Sequence, residues 1–355
     1  MKVLITGICG FVGSALAESL LERHENIDVS GIDNLMRPGS ETNRTRLRKL
    51  GVAFAHGDIR AASDLEHLPA ADWVVDAAAN PSVLAGVRGS SSSRQLFEHN
   101  LIGLVNILEY CKVHAAGLLL LSSSRVYSIP ALASIPLKVD ARAFRLDDSA
   151  QLPPGLSQRG IGPGFCTIPP ISLYGATKLA AETVALEYGA AFDFPVWVNR
   201  CGVLAGPGQF GTADQGIFSY WINAHLRHRV LRYIGFDGTG KQVRDAFHPR
   251  DLASLLDAQM RTERSGGQRV YTAGGGPENA MSLAELTEWC DERFGPHRPQ
   301  AAPRPRNYDI PWMVMDSGGA ERDFGWRVEI PIEAILNQIA SHAEKNPDWL
   351  DTSGV

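Results

Sequence analysis

The sequence has no surplus of positive charge and no long apolar run. Lysine and arginine number 34 against 39 aspartate and glutamate residues, which gives a net charge of -5 at pH 7. This balance lacks the basic surface that binding to nucleic acid or to an anionic membrane requires. No stretch approaches the roughly 18 apolar residues of a membrane span. An anionic small molecule must therefore be bound by a few well-placed arginines.

Cysteine is sparse and shows no pairing pattern. The five cysteines are odd in number and widely scattered: Cys9, Cys111, Cys166, Cys201 and Cys290. No Cys-x-x-Cys element and no Cys/His cluster has the spacing of metal ligands, so we expect no metal. The pattern predicts reduced, mostly buried thiols in a cytoplasmic protein.

A glycine-rich turn follows the first predicted strand. Lys2–Thr6 is a short apolar run typical of a buried parallel strand, and residues 14–22 have a helical pattern. Between them, Gly7, Gly10 and Gly13 allow a tight turn, close approach to a pyrophosphate, and packing of helix on strand. The phosphates would lie at the helix N-terminus, where free N–H groups favour anions. This unit predicts a dinucleotide site.

The second strand ends in an acid. Residues 28–32 form the predicted strand, and Asp33 lies 20 residues after Gly13. A carboxylate here accepts hydrogen bonds from the adenosine ribose and repels a 2′-phosphate, which favours NAD over NADP. Arg37 is close enough in sequence to oppose this preference.

Strands and helices continue to alternate along a chain of 355 residues, without an internal repeat. The alternation predicts an α/β fold with a Rossmann-type doubly wound parallel sheet and a smaller C-terminal α/β substrate domain. We expect residues 1–201 to form the dinucleotide-binding domain, with 242–273 returning to it. Residues 202–241 and 274–345 would then form the substrate domain.

Later strand ends supply further candidates. Predicted strands at 52–56 and 73–76 are followed by Gly57-Asp58-Ile59 and by Ala77-Ala78-Ala79-Asn80. Asp58 could accept from an adenine amino group or could cap the next helix. The small residues at 77–79 would let the backbone pass close to a cofactor, or would simply pack. Residues 89–93 are predicted to form a polar loop.

The segment 172–182 carries the catalytic prediction. It is predicted to be helical from Leu173, so Tyr174 and Lys178, four residues apart, share one face. A free phenol is a poor base at neutral pH, but an ammonium beside it favours the phenolate and makes Tyr174 a usable proton acceptor. A tyrosine and a lysine could share a face by chance, and the nicotinamide site predicted upstream decides for catalysis.

Serines and an asparagine are predicted near this helix. The strand at 118–121 opens into Ser122-Ser123-Ser124, and ligands lie at strand ends in open α/β sheets. One of these hydroxyls would hydrogen-bond the reacting oxygen beside Tyr174. Asn100, in a predicted helix at 94–114, would need buried partners and is expected to brace this region.

These motifs together resemble the extended short-chain dehydrogenase/reductases that act on nucleotide sugars, from Lys2 to about Asp316. Within that family, three segments are similar to those of the CDP-paratose 2-epimerases, also called CDP-tyvelose epimerases. They are Asp33-Asn34-Leu35, Gln209-Phe210 with Asp214-Gln215-Gly216, and Gly240-Lys241-Gln242-Val243-Arg244-Asp245. The resemblance implies NAD as cofactor, a CDP- or UDP-linked sugar as substrate, and epimerisation through a transient keto-sugar.

The resemblance also implies site residues. Catalytic roles fall to Ser123, Tyr174 and Lys178. Cofactor contacts are expected from Gly7, Gly10, Phe11, Val12, Gly13, Asp33, Asn34, Asp58, Ile59, Ala77, Ala78, Ala79, Asn100, Ser122, Tyr174, Lys178, Cys201 and Val203. Substrate contacts are expected from Asn80, Ser124, Gln209, Gln215, Arg244 and Arg306. The two arginines would hold the diphosphate, although Arg306 could instead be a solvated charge on a linker.

Departures from the family pattern narrow the chemistry. Family 4,6-dehydratases have an Asp-Glu pair where this chain has Ser124 and Arg125, so elimination lacks its acid. The sugar-acid decarboxylases usually keep a Glu at the position of Arg125. Val203 replaces the Asn that is common after the sixth strand and that contacts substrate. The Pro/Gly-rich insertion at 128–171 is predicted to be a lid over the sugar.

Other functions remain open at this point. A 4-epimerase of UDP-sugars is the first alternative, followed by a nucleotide-sugar dehydrogenase or reductase. A non-catalytic NAD-sensing scaffold would keep the glycine turn but would not need Ser123, Tyr174 and Lys178 together. The family resemblance also implies a homodimer formed through two helices of each subunit.

Overall fold

The computed structural model describes residues 1–85, 87, 92–262 and 267–355. The strands are β1 Lys2–Thr6, β2 Asp28–Asp33, β3 Ala53–His56, β4 Trp73–Asp76, β5 Gly117–Ser123, β6 Leu137–Val139, β7 Phe144–Leu146, β8 Leu156–Ser157, β9 Gly160–Ile161, β10 Val196–Cys201, β11 Val203–Leu204, β12 Arg232–Ile234, β13 Val243–Phe247, β14 Val270–Ala273, β15 Ala280–Ser282, β16 Gln300–Ala302 and β17 Trp312–Met313. The helices are α1 Phe11–Arg23, α2 Asn43–Lys49, α3 Ala62–Glu66, α4 Ser93–Phe97, α5 Gly103–His114, α6 Ile129–Ala133, α7 Leu173–Phe192, α8 Ile217–Leu226, α9 Pro249–Met260, α10 Leu283–Phe294, α11 Gly318–Phe324, α12 Ile332–Lys345 and α13 Trp349–Thr352.

A parallel sheet of seven strands forms the centre of the described structure, in the order β14-β10-β5-β4-β1-β2-β3. Side chains alternate across it, because successive residues of a strand point to opposite faces. Val3 and Ile5 join the core formed with α1 and α9. Leu4 joins the core on the other face, which contains residues of α5 and α7. Helices therefore cover both faces, and the predicted Rossmann-type α/β fold class is confirmed.

A second, smaller sheet lies beyond the ends of the large one. Strand β13 pairs with β11, β15 and β17. In the segment 242–273, which is expected to return to the first domain, α9 packs on α1 and β14 pairs with β10, whereas β13 belongs to the small sheet. The division into two domains stays a prediction.

One predicted helix is interrupted, and two other elements are bounded by a glycine. The helix expected at 94–114 contains a π-helical turn, Glu98–Ile102. Strand β10 ends at Cys201, and the chain turns at Gly202 so that β11 enters the small sheet. A Cβ at Gly202 would lie a tight 3.0 Å from the Asp245 carboxylate. Helix α8 begins after Gly216, whose φ is +66°.

The polar loop predicted at 89–93 lies mostly outside the described residues. Residues 89–91 are not among them, and Ser92 is the N-cap of α4. None of the helices in the described ranges combines the length and the apolar character that a bilayer span requires.

The insertion at 128–171 packs beside the small sheet. It contains the hairpins β6–β7 and β8–β9, and its Leu132 and Phe165 share a core with Ile310 and Met315. Backbone hydrogen bonds join Ile161 to Val314 at 2.8 Å and Phe144 to Lys241 at 2.9 Å. The insertion is therefore fixed to its neighbours by both backbone and core contacts.

A proline-rich arm at 303–311 connects strands β16 and β17. Its ends are held, because β16 pairs with β12 and β17 pairs with β13. Within the arm, Tyr308 has a φ of +63°. Arg306 donates to Asp214 Oδ1 at 3.0 Å and to the carbonyl of Ala213 at 2.8 Å, so the arm contacts the loop before α8.

Buried His248 gives the fold a predictable response to acid. Its Nδ1 accepts from the Arg250 N–H at 3.1 Å and so caps α9, and its Nε2 contacts Gln338 Oε1 at 3.1 Å. Burial lowers the pKa of His248 from 6.5 to about 4. The unfolded chain then binds the proton more readily than the folded protein. The contribution to stability is full above pH 6.5 and is lost as the pH falls toward 4.

We expect the free energy of unfolding of the wild-type protein to fall by about 2 kcal/mol through His248 when the pH is lowered from 7 to 5. The variant His248→Asn keeps a capping acceptor and cannot titrate, so it should lose correspondingly less over the same interval. Urea unfolding of both proteins at both pH values measures the difference. Equal pH dependence of the two proteins would show that His248 does not make this contribution.

Candidate active site

The glycine turn after β1 fits only residues without a side chain. Gly7 has a φ of +63°, and a Cβ there would lie 2.9 Å from the Cα of Ala78. A Cβ at Gly13 would lie 2.3 Å from the carbonyl oxygen of Gly7. Gly10 is the N-cap of α1, which has no capping side chain and no acid in its first turn. The free N–H groups of this helix end are thus open to an anion, as a dinucleotide pyrophosphate site requires.

Asp33 ends β2 directly beside this turn. Its Oδ2 accepts from the Cys9 N–H and its Oδ1 from the Leu35 N–H, each at 2.8 Å. Burial raises the pKa of Asp33, and these backbone hydrogen bonds oppose the shift. Each carboxylate oxygen keeps a further acceptor position. The predicted ribose contact is therefore compatible with this arrangement.

Arg37 is engaged by the loop that precedes α8. Its guanidinium donates to Gln215 Oε1 at 3.2 Å and to the carbonyl of Phe210. Burial lowers the pKa of Arg37. The cation that opposed a preference for NAD thus has partners other than Asp33.

Asp58 has strong partners of its own. Arg60 contacts both carboxylate oxygens, at 2.9 and 2.7 Å, and Asn34 donates to one of them at 2.9 Å. The hydrogen bonds from Arg60 hold the pKa of Asp58 well below its usual range. The predicted adenine contact would have to compete with Arg60. The alternative, that Asp58 caps the next helix, is wrong, because Ala61 is the N-cap of α3.

Asp33 is expected to control the choice of cofactor. The variant Asp33→Ala should weaken NAD binding by about tenfold or more, because a hydrogen-bond acceptor for the ribose is lost. It should also reduce the preference for NAD over NADP, because the negative charge that repels the 2′-phosphate is lost. Fluorescence or calorimetric titration with both cofactors measures this. The matched control is Asp28→Ala, which removes an exposed acid from the other end of β2. Tighter binding of NADP than NAD by the unmutated protein would contradict the prediction.

Helix α7 carries Tyr174 and Lys178 one turn apart, with 7% and 4% of their surfaces exposed. Ser172 caps this helix by accepting from the Gly175 N–H at 3.0 Å. The Lys178 ammonium donates to the carbonyl of Leu121 at 2.9 Å, two residues before Ser123, the last residue of β5. Burial raises the pKa of Asp76, and the Lys178 charge opposes that shift. An ammonium, a phenol and a hydroxyl are thus supplied by neighbouring elements.

Asn100 is a brace for this region. From the π-helical turn its amide accepts from the Asn80 N–H at 2.8 Å and donates to the Asn80 carbonyl at 3.1 Å. It also donates to Thr177 Oγ1 at 3.1 Å, and Thr177 in turn donates to the Tyr174 carbonyl at 2.8 Å. The asparagine thereby ties the loop after β4 to the catalytic helix. Its expected cofactor contact stays a prediction.

A buried ion pair lies one turn beyond Lys178. Glu182 on α7 binds Arg200 on β10 through three contacts of 2.7 to 3.1 Å. Ser122 donates to the same carboxylate, so its hydroxyl is committed there. Arg200 also donates to the Pro163 carbonyl at 2.9 Å and lies over the Tyr127 ring. The pair joins the catalytic helix, the large sheet and the insertion.

A cavity of about 240 Å³ opens between the loop after β4, at Val83 and Leu84, and the small sheet, and Tyr174, Lys178 and Ser123 are not among its lining residues. Of the predicted substrate residues, Gln215, Arg244 and Arg306 line it. Asn80, Ser124 and Gln209 are not among its lining residues, and neither is any residue of the insertion. The structure thus does not bring the insertion to this cavity as the predicted lid.

The cavity also has lining residues that the sequence predictions did not include. They are chiefly Arg125, Gln242 and Tyr308. Gln242 stands two residues before Arg244, a spacing that puts both on one face of an extended strand and could have identified it. Arg244 donates to the Ile310 carbonyl at 3.0 Å and lies 3.7 Å from Asp309. Burial lowers the pKa of Arg244 to about 10.

The glycine turn, Asp33 and the Tyr174–Lys178 pair define a dinucleotide-dependent dehydrogenase type of active site on a doubly wound α/β fold. The model of the NAD dependent epimerase/dehydratase family matches residues 3–274. The chain therefore belongs to this family, the extended short-chain dehydrogenase/reductases, and its cofactor is NAD. The predicted family and cofactor are confirmed.

Individual relatives share between a fifth and just over a quarter of their residues with this chain. CDP-paratose 2-epimerase of Salmonella typhi is 28% identical over 298 residues, covering 82% of this chain and 84% of that protein. UDP-glucuronate 4-epimerase of Thermodesulfobacterium geofontis is 26% identical over 351 residues, covering 97% and 96%. UDP-glucose 4-epimerase from Thermotoga maritima, crystallised with UDP-glucose, has the same fold, with a TM-score of 0.76 at 21% identity and coverage of 98% and 99%.

Proposed function

We propose that the protein epimerises a nucleotide-diphosphate sugar by transient oxidation to a keto-sugar. The observation that carries this proposal is the placement of Tyr174 and Lys178 one turn apart on α7, with the Lys178 ammonium bound to the Leu121 carbonyl of β5, the strand that ends in Ser123. This arrangement can remove a proton from a sugar hydroxyl. NAD, when bound, takes up the hydride of the same carbon and returns it.

The protein residues would act as follows. Tyr174 accepts the hydroxyl proton as the general base, one helical turn from the Lys178 ammonium. Ser123 hydrogen-bonds the same sugar oxygen. Arg244 and Arg306 hold the diphosphate, since a planar guanidinium can bind a phosphate through two parallel hydrogen bonds. After oxidation the ketone turns in the cavity and is reduced on its other face, which inverts the carbon.

Inversion is favoured over elimination of water. Ser124 and Arg125 stand where a dehydratase needs an acid that protonates the leaving hydroxyl group, so that it departs as water, and neither can serve as that acid. Among epimerisations we propose the C2 carbon of a CDP-linked sugar, as in CDP-paratose 2-epimerase. The motifs around Asp33, Gln209 and Arg244, together with the Salmonella typhi relative, support this choice. The second candidate is 4-epimerisation of a UDP-sugar, supported by the relative that covers 97% of the chain.

Turnover in heavy water tests the reaction. Purified protein with NAD is incubated with CDP- and UDP-sugars, and the products are examined by NMR. We expect an inverted carbon without deuterium and no accumulation of free NADH, because the migrating hydrogen never exchanges with water. Deuterium on the inverted carbon would exclude direct return of the hydride, and stoichiometric NADH release would make the protein a dehydrogenase. The position of the inverted carbon separates the two candidates.

We also propose a homodimer formed through α7 and the α4–α5 helical segment. Ile102 and Val113 on that segment, and Phe192 on α7, are apolar and about half or more exposed. A second copy packing helix against helix would bury such residues. Light scattering of the wild type and of Ile102→Glu checks the oligomeric state.

A further inference from the structure

Arg125 lies between the residues around Tyr174 and the proline-rich arm that borders the cavity. Its backbone N–H donates to Ser123 Oγ at 3.1 Å, and its carbonyl lies so close to Gly175 that a Cβ there would be 2.2 Å away. Its guanidinium lines the cavity and donates to the Tyr308 carbonyl at 3.1 Å. The backbone of Arg125 is thus fixed by the residues around Tyr174, while its charge reaches the proline-rich arm.

Arg125 and Arg244 bind the same short segment of that arm. Arg125 donates to the carbonyl of Tyr308, and Arg244 donates to the carbonyl of Ile310, two residues further on. Asp309 stands between them and lies 3.7 Å from the Arg244 guanidinium. The two partly buried guanidinium groups therefore lie near each other, and the charge of Arg125 helps to lower the pKa of Arg244, although burial is the larger cause.

The charges of this part of the cavity do not balance. Within the described residues, no carboxylate lies within 4 Å of the Arg125 guanidinium, and Asp309 is the partner of Arg244. Burial lowers the pKa of Arg125, and the charges of Asp309 and Tyr174 oppose that shift. Arg306 already has Asp214 as its partner. Arg125 thus contributes a partly buried positive charge without a carboxylate partner among the described residues, and a nucleotide diphosphate brings more than one negative charge into the same cavity.

Val203 lines the cavity where the family commonly has an Asn, and its side chain cannot hydrogen-bond. The hydrogen bond to Tyr308 uses one of the five N–H donors of the Arg125 guanidinium. The remaining N–H donors of this guanidinium are available to a ligand in the cavity.

We propose that Arg125 binds the β-phosphate of the nucleotide sugar, the phosphate attached to the sugar itself. This inference rests on the proposed function for the identity of the substrate. Because Arg125 is anchored beside Ser123 and Gly175, the β-phosphate would lie close to the reacting oxygen. Sugar carbon C2 is adjacent to the phosphate-bearing C1, whereas C4 lies across the ring. The position of Arg125 therefore favours chemistry at C2 and supplies the anchor about which the keto-sugar turns.

Binding of nucleotides that lack the sugar on the β-phosphate tests this role. CDP and UDP contain the β-phosphate, and CMP and UMP lack it. We expect Arg125→Met to weaken binding of the preferred diphosphate by about 10- to 100-fold and of its monophosphate by less than about threefold. Calorimetric titration of the NAD-loaded protein measures both constants. The matched control is Arg232→Met, which removes an arginine from the same cavity and should leave the diphosphate-to-monophosphate ratio unchanged.

Other results would overturn the proposal. A diphosphate-to-monophosphate binding ratio that is unchanged in Arg125→Met would exclude a contact with the β-phosphate. If the variant then altered the pH profile of turnover, Arg125 would act on Tyr174. If it altered the binding of UDP-glucuronic acid relative to UDP-glucose, Arg125 would bind a sugar carboxylate. Arg125→Lys, which keeps the charge but not the planar fork, should show an intermediate ratio and serves if the Met variant does not fold. Because no turnover is needed, the result stands apart from the proposed epimerisation.

Discussion

Replacing Tyr174 by phenylalanine is expected to reduce turnover by about 100-fold or more while folding stays nearly unchanged. The ring packs with Ala85 and Leu96 in a small apolar cluster, and phenylalanine preserves that packing. What is lost is the hydroxyl that accepts the substrate proton. Steady-state kinetics with the sugar nucleotide that the wild type converts measures the change, and thermal unfolding confirms the fold.

Tyr188→Phe is the matched control for this experiment. Tyr188 lies on the same helix, and its hydroxyl donates to Glu109 at 3.0 Å at the partly exposed surface. Its loss should leave turnover within about twofold of the wild type and change stability by about 1 kcal/mol or less. Turnover by Tyr174→Phe at the wild-type rate would end the catalytic assignment. A loss shared by both variants would indicate a general effect on α7.

The second large effect is expected from the buried pair Glu182–Arg200. The variant Arg200→Met should lower the free energy of unfolding by about 3–5 kcal/mol, because it leaves the Glu182 carboxylate buried without its cation. Both side chains are less than a tenth exposed. Urea unfolding followed by circular dichroism measures the loss. The exposed pair Arg46–Glu18 provides the comparison, and Arg46→Met should cost about 1 kcal/mol or less.

A double variant separates the charge from the packing. Glu182→Leu combined with Arg200→Met removes both charges, so much of the stability should return. Recovery should be incomplete, because the Pro163 carbonyl and the Ser122 hydroxyl lose a partner. If the double variant were as unstable as the sum of the two single ones, the pair would contribute through packing rather than through its charges.

The parts of the site that follow from local pattern were predictable from the sequence. The glycine turn requires residues without a Cβ, and that requirement is visible in the spacing of Gly7, Gly10 and Gly13. Tyr174 and Lys178 share a face because helices have a period of 3.6 residues. Asp33 follows its strand, and strand ends are ligand sites in such sheets. Each of these properties depends on a short stretch of chain.

The rest depends on contacts between distant segments. Arg125 meets the carbonyl of Tyr308 across 183 residues, and no periodicity of either segment encodes that meeting. Arg37, close to Asp33 in sequence, is engaged instead by Phe210 and Gln215. The role of Asp58 is hard to predict for a different reason. Its carboxylate can form an ion pair with Arg60 or accept a hydrogen bond from a ligand, and the sequence alone does not decide between the two. The docking of the insertion on 310–316 likewise arises only from tertiary packing.

The position of the proline-rich arm bears on how long each of the two ligands stays bound. Its two ends are fixed by strand pairing, and its middle is held to the cavity by side-chain contacts of Arg306, Arg125 and Arg244. The arginines that hold the arm are those proposed to hold the diphosphate, and the glycine turn lies on the large sheet, so the two ligands would be bound by separate parts of the chain. In the proposed reaction oxidation and reduction cancel, so the cofactor leaves each cycle as it entered. The two ligands can then have very different residence times, with substrate exchanging many times while one molecule of NAD stays in place.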